Sequence, residues 1–206
     1  MSDMKSPSPA RGYRMAARAD AAARTARDIL AATVALWRER PIDEITLADI
    51  AGRAGVSVRT VIRRFGSREG VIAACIEADA AGIEAERGQA PPGSVEEALD
   101  VLLAHYERDG DAVLRTLALE EKLPEAKAIV RAGRAAHREW CARVFAAWLP
   151  PPTDGAHAIR LDAFVAATDL YAWKLLRRDL HRPATDTARV IRALVDGLVS
   201  LSSSQA

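Results

Sequence analysis

The sequence predicts an all-α protein in two parts, a small N-terminal unit of three helices built on a helix-turn-helix and a larger helical unit after it. Three observations carry this. Apolar residues recur at spacings of three and four along most of the chain, and no stretch keeps the period of two that a strand needs. Ser or Thr stands just ahead of several of these stripes, where a helix start needs a side-chain acceptor. A break rich in Pro and Gly, GQAPPGS at 88–94, separates the first four helical patterns from the rest. The 206 residues are half apolar and 28% charged, ordinary for a globular chain of one or two domains.

Residues 1–19 are rich in Ser, Pro and Arg and read as a flexible basic arm. The first helical pattern starts near Asp20. Ala26, Ile29, Leu30, Thr33, Val34 and Trp37 form its stripe, and Pro41 stops it. Thr46 with Asp49 is close to a capping box, so a second helix should begin at Leu47, with Leu47, Ile50, Ala51 and Ala54 on its apolar face. Gly55 suits a left-handed turn after it. Ser57 caps a third helix ending near Phe65. These elements make a domain over 20–66. Ser67 then caps a connecting helix over 67–87, with Val71, Ile72, Cys75, Ile76 and Asp79 in its stripe.

Residues 88–206 read as a second helical domain. Ser94 with Glu97 opens a helix whose stripe is Val95, Ala98, Leu99, Leu102, Leu103 and Tyr106, and Gly110 is expected to close it. A shorter helix follows with Val113, Leu114, Leu117 and Ala118. Pro124 starts a long helix carrying Ile129, Val130, Gly133, Ala136, His137, Trp140, Cys141, Val144, Phe145 and Trp148, and Pro150, Pro151 and Pro152 end it. One helix is then expected from about Ala156 to Leu180. It carries two stripes, Leu161, Phe164, Val165, Thr168, Ala172, Leu175 and Leu176 on one side and Ile159, Ala163, Ala166, Leu170 and Trp173 on another. A last helix, about 186–202, carries Val190, Ile191, Leu194, Val195, Leu198 and Leu201, with a small pair at Ala193 and Gly197. Helices this apolar are buried on more than one side. We read them as a surface for a second copy of the chain, with Ala166, Leu170, Trp173, Val190, Ala193, Leu194, Gly197 and Leu198 at the interface.

The formal net charge is +1, but it is unevenly spread. Residues 1–70 hold 13 Lys and Arg against 8 Asp and Glu, a net of +5, while 71–206 hold 16 against 20, a net of −4. A basic first part points to a polyanion partner. Cys75 and Cys141 lie far apart with no CxxC pair and read as reduced thiols. The N-terminus has no apolar signal core and no stretch reaches the roughly 20 apolar residues of a membrane span, so a cytoplasmic protein with no membrane contact is expected. No GxSxG, HExxH, GxGxxG or P-loop occurs, and His105, His137, His157 and His181 are scattered. His137 and Cys141 are four apart, but two ligands do not make a metal site. We therefore expect no enzyme, no catalytic residue, no cofactor and no metal.

The run VSVRTVIRRFGSREG, Val56 to Gly70, holds four arginines. Arg59 and Arg63 are four apart and repel each other on a helix by a few tenths of a kcal/mol. Phosphates or guanine edges facing them turn that arrangement favourable, since Arg suits the guanine O6/N7 pair. In a helix-turn-helix the N-terminal residues of the second helix meet base edges; here these are Ser57, Val58, Arg59 and Thr60.

The segment 29–76 resembles the TetR family of bacterial transcriptional repressors. The residues that carry the likeness are Trp37, Thr46, Ile50-Ala51, Ala54-Gly55-Val56-Ser57, Thr60-Val61-Ile62, Phe65 and Ser67-Arg68-Glu69; YAWKLLRRDL, 171–180, is similar more loosely. Three residues depart from the family pattern: Ile62 stands for the usual phosphate-binding Tyr, Gly66 for Pro, and Arg68 for Lys. The Tyr contact is then lost or taken over by Arg63 or Arg64. The resemblance implies an N-terminal helix-turn-helix DNA-binding domain and a C-terminal helical ligand-binding and dimerisation domain. It implies a homodimer on a palindromic double-stranded operator, released by a small-molecule effector. The DNA-facing set it implies is Thr46, Ser57, Val58, Arg59, Thr60, Ile62, Arg63, Arg64 and Arg68, with Arg68 on a phosphate and the Arg11–Arg18 arm adding nonspecific affinity. The expected effector pocket is Tyr106, Leu117, His137, Trp140, Cys141, Phe164 and Trp173, an apolar and aromatic lining suited to an apolar or aromatic effector. An adaptor that uses the motif for protein contacts is the other reading, favoured by Ile62.

Overall fold

A computed structural model describes residues 9–88 and 94–203, with side chains over 17–78, 81–88 and 94–201. Among these residues the regular structure is helical and no strand occurs. In order the elements are α1 (Pro9–Glu39), a 3-10 turn (Ile42–Glu44), α2 (Leu47–Arg53), α3 (Val58–Phe65), α4 (Arg68–Arg87), α5 (Val95–Leu117), α6 (Pro124–Val144), a 3-10 turn (Ala146–Trp148), α7 (Ala156–Ala167), α8 (Leu170–Lys174), a π-helical turn (Leu175–Asp179) and α9 (Ala184–Ser203). The chain divides into two compact units, Met1–Cys75 and Ile76–Ala206. The division falls within α4 and not at the 88–94 break, whose residues 89–93 lie outside the described residues.

In the first unit α1 packs on α2 and α2 on α3. Ile29, Leu36, Ile45, Ile50, Ala51, Val61 and Val71 close a buried core, with Trp37, Leu47, Val56 and Phe65 around it. Each large aliphatic residue buried there contributes about 1.5–3 kcal/mol. Helix α1 begins at Pro9, well before the expected start near Asp20, so Arg11–Arg18 are helical and not a flexible arm; residues 1–8 of that arm lie outside the described residues. Alanine is frequent over 16–26 and its high helix propensity extends the helix without an apolar stripe. The capping box is formed: Asp49 N–H donates to Thr46 Oγ1 and Thr46 N–H donates to Asp49 Oδ2. Helix α2 ends in a Schellman closure, with Val56 N–H on Ala51 O and Gly55 N–H on Gly52 O. That closure requires a left-handed residue, and Gly55 sits at φ 65°. Gly66, at φ 81°, has a backbone that a proline there could not adopt.

The second unit is built on α5, which packs against α6, α8 and α9, while α7 packs against α6 and α9. Its core holds Leu99, Leu102, Tyr106, Trp140, Cys141, Phe145, Phe164, Trp173, Ile191 and Val195. Phe145 stacks on Phe164 at 4.2 Å. Two helix boundaries differ from the sequence expectation. Gly110 does not end a helix; it lies inside α5, where a Cβ would come within 2.6 Å of the Trp173 ring. The glycine is there to admit the indole. The expected single helix over 156–180 is instead α7, a break, α8 and a π turn. Thr168 donates its hydroxyl to Phe164 O, and Asp169 caps α8 by accepting from Tyr171 N–H, so local side-chain bonds divert the backbone at the break.

The π turn faces α5 with charge. Glu107 accepts from Trp173 Nε1 at 2.7 Å and from Arg177 at 2.7 and 2.9 Å. Arg178 binds Asp111 at 2.7 and 2.8 Å and lies 4.5 Å over the Trp173 ring. The Arg177 guanidinium holds the Glu107 carboxyl below its ordinary range.

Burial also revises the expected interface. Leu170 and Trp173 belong to the chain's own core and Leu198 packs against that core. Trp173 is fully enclosed because Gly110 makes room for it. Ala166, Val190, Ala193, Leu194 and Gly197 are exposed, as is Leu201.

Gly110→Ala is expected to lower stability by about 1–3 kcal/mol through overpacking on Trp173. Combining it with Trp173→Phe should cost less than the sum of the two single changes, measured by denaturant unfolding, because both act on one contact.

Candidate nucleic-acid interface

Helix α3 has eight residues, too few to be stable alone in water. Two constraints hold it. At its start, Ser57 Oγ accepts from Thr60 N–H at 3.2 Å and lies 3.0 Å from Thr60 Oγ1. At its centre, Val61 is fully buried against α2 and α1. Fixing Val61 inward turns Val58, Arg59, Ile62, Arg63 and Arg64 outward, and all five are exposed. Val58 is 37% exposed and Ile62 45%, large values for aliphatic residues in a folded unit.

The arginines of the first unit are of two kinds. Arg53 makes a two-pronged pair with Glu39 at 2.8 and 2.7 Å, and Arg40 pairs with Asp49 at 2.8 Å. Arg59, Arg63 and Arg64 have no ion pair or hydrogen bond among the described residues. The outer face of α3 therefore carries three positive charges that no described residue of the unit neutralises.

Arg68 is placed differently from the expectation of a phosphate contact. Its Nε donates to Ile45 O at 2.7 Å and its Nη2 donates to Ile42 O. The carbonyls of Ile42 and Ile45 lie close to the start of α4, and the guanidinium folds back onto them, sharing Ile42 O with the Ile45 N–H. Thr46 is exposed at the α2 cap; its hydroxyl, its N–H and Arg40 together hold the Asp49 carboxyl down to about 2.

In the second unit the expected effector residues do come together, but as packed core. Tyr106, His137, Trp140, Cys141, Phe164 and Trp173 are buried, and Leu117 is half-buried beside them. Tyr106 donates its hydroxyl to Thr168 O at 3.0 Å. His137 Nε2 lies 3.2 Å from Thr168 Oγ1, which already donates to Phe164 O, so Nε2 carries the proton. Burial first, and then the nearby Arg87 charge, push His105 and His137 down to about 4. Burial pushes the Cys141 thiol up to about 11. A surface cavity of about 400 Å³ is lined by Ala142, Ala146, Leu149, Pro150, Pro151, Pro152 and His157, and includes none of the expected lining residues. Among the described residues no group of three or more His, Cys, Asp or Glu gathers as a metal ion would need, and no helix is long and apolar enough to cross a membrane.

The sequence reading did not single out the partners that set this electrostatics, Glu107 and Asp111 facing Arg177 and Arg178, nor Arg87. The first four stand on separate elements, the acids on α5 and the arginines on the π turn, and nothing local announces that they meet.

Residues 29–75 match the model of the TetR N-terminal domain, described as bacterial regulatory proteins, tetR family. No curated protein is a significant match to the chain. Solved structures of the same fold include three regulators. A TetR-family transcriptional regulator from Streptomyces coelicolor is 13% identical, with a TM-score of 0.66 over 89% of this chain and 83% of its own. A candidate TetR-family transcriptional regulator from Mesorhizobium loti is 16% identical, with a TM-score of 0.60 over 87% and 97%. A candidate transcriptional regulator from Pseudomonas aeruginosa is 14% identical, with a TM-score of 0.60 over 85% and 90%. Residues 29–75 thus carry the match to the tetR family of bacterial regulatory proteins, and the solved structures add the fold.

The two depressed histidines set a pH dependence. Their folded-state values lie below the ordinary 6.5, so the unfolded chain binds more protons as the medium acidifies. Stability should be flat between about pH 7 and 8 and fall between pH 6.5 and 4. Thermal melts of a His105→Gln, His137→Gln variant should keep their plateau to lower pH, until the paired carboxylates protonate.

Proposed function

We propose that the protein is a homodimeric, cytoplasmic transcriptional repressor that leaves a palindromic operator when a small molecule binds its second unit. The observation that carries the DNA reading is the outer face of α3, where Arg59, Arg63 and Arg64 have no partner among the described residues while the opposite side is locked by Val61. Arg59, near the helix start, is suited to a guanine edge. Arg63 and Arg64, further along, are suited to phosphates and stand in for the absent family Tyr. The exposed pair Val58 and Ile62, one turn apart, suits thymine methyl groups, an apolar readout that a Tyr at 62 would replace with a phosphate contact. Ser57 and Thr60 hold the helix start and so position Arg59. Thr46 lies at the exposed α2 cap, where a phosphate could be met. Arg68 acts indirectly, by fixing the 42–45 loop through its carbonyls.

The exposed faces support the dimer. Val190, Ala193, Leu194, Gly197 and Leu201 follow one another at helix spacing along α9, and Leu194 is 49% exposed. Ala166 supplies a further small exposed residue from α7. Small residues between large aliphatic ones let two such helices approach closely. A two-fold dimer would set its recognition helices on successive major grooves, about 34–36 Å apart. An effector that prefers a conformation with a different spacing then releases the DNA, by its difference in affinity for the two states and nothing else.

Selection of duplexes from a random pool tests the DNA reading. The wild-type chain should enrich a palindrome, and Arg59→Ala and Arg63→Ala should each weaken binding by about 1–3 kcal/mol. No enrichment by a folded protein would favour the adaptor reading instead. Leu194→Glu should convert the dimer to a monomer in sedimentation and abolish palindrome binding while leaving the helical content unchanged.

A further inference from the structure

Arg87 ends α4 and is half-buried in the second unit, with its Nε enclosed and unbonded. Its guanidinium carbon lies 5.6 Å from the centre of the Trp140 ring. Trp140 is 1% exposed, and its own Nε1 is buried without a hydrogen-bond partner. The ring of His137 stacks on Trp140 at 5.6 Å. Two N–H donors, one of them charged, thus sit at one aromatic cluster, and neither is hydrogen-bonded among the described residues. Burying such donors unpaired costs free energy that a structural core has no reason to spend.

The carboxylates nearest Arg87 do not relieve it. Glu84 is taken by Arg143 at 2.9 Å, and Glu86 is taken by Arg108 at 2.8 and 3.0 Å. Asp109 accepts from Arg108 as well. Around Arg87, then, each of these three acids already pairs with another arginine, and Arg87 has no ion pair of its own among the described residues. Burial first, and the Arg87 charge second, lower both nearby histidines.

We propose that Arg87 and Trp140 anchor the carboxylate of a small apolar or aromatic acid, whose body lies against the Trp140, His137 and Tyr106 rings. A carboxylate has two oxygens, one for each unpaired donor, and a planar guanidinium binds it in a fork. This deepens the effector reading given above and rests on it for the step from binding to DNA release.

The test is titration calorimetry on the full chain, without DNA, using benzoate, phenylacetate and octanoate, each beside its primary amide. The acid of at least one pair should bind at least tenfold tighter than its amide, and Arg87→Met should bring the two to equal affinity. Arg87→Met should also melt higher than wild type by roughly 2–4 °C without any ligand, since it removes an unpaired charge and keeps the apolar stem. Equal binding of acid and amide, no binding of any acid at millimolar concentration, or a lower melting temperature for Arg87→Met with the acid preference intact would each overturn the proposal. Operator release, measured separately, keeps the two readings apart. An amide that binds and releases DNA sinks the carboxylate anchor and spares the effector mechanism. An acid that binds through Arg87 yet leaves operator affinity unchanged does the reverse.

Discussion

The indole of Trp173 resting on Gly110 is the constraint around which the second unit is arranged. A side chain of any size at 110 would hold α8 away from α5. With glycine there, Trp173 reaches the core, Tyr106 can donate across to the Thr168 carbonyl, and Glu107 can accept from the indole nitrogen. The break before α8 and the π turn after it then follow from having to deliver Trp173 inward while Arg177 and Arg178 reach Glu107 and Asp111. A large ring, two acids on α5 and two arginines on the π turn form one bonded assembly, and α9 packs behind it.

The first unit solves a different problem. It has to hold a short helix firmly while leaving one side of it chemically unsatisfied. Val61 and the Ser57 cap supply the firmness, and Arg40 and Arg53, unlike the arginines of α3, are paired with acids. Like-charged neighbours at Arg59 and Arg63 cost only tenths of a kcal/mol, less than the burial of one valine returns. The helix is stable despite its surface, and that surplus of packing over repulsion is what lets it hold three arginines outward.

Much of this was legible in the residues. The Thr46–Asp49 box, the Gly55 turn and the Ser57 cap are local, so spacing alone reveals them. The outward set on α3 follows from placing Val61 inward. Where the reading failed, the deciding contact lay far along the chain or was local but unmarked by apolar spacing. Gly110 after an apolar stripe looks like a helix end, because the ring that needs it belongs to Trp173. The division of 156–180 uses Thr168 and Asp169, residues equally at home in a helix surface, with no Pro or Gly to mark it. Arg68 turned inward because its acceptors are backbone carbonyls, which no side-chain pattern displays. The early start of α1 came from propensity without periodicity, a signal the apolar spacing does not carry.

Cys141 has a consequence of another kind. Its sulfur is fully enclosed, lies 3.5 Å from Thr168 Oγ1, and is held as the protonated thiol by burial. Thiol reagents react with thiolates that they can touch, and here neither condition is met while the second unit is closed. Alkylation of this atom therefore waits for the unit to open, and its rate counts those openings. The chain carries its own internal clock for breathing motions, readable by mass one modified sulfur at a time.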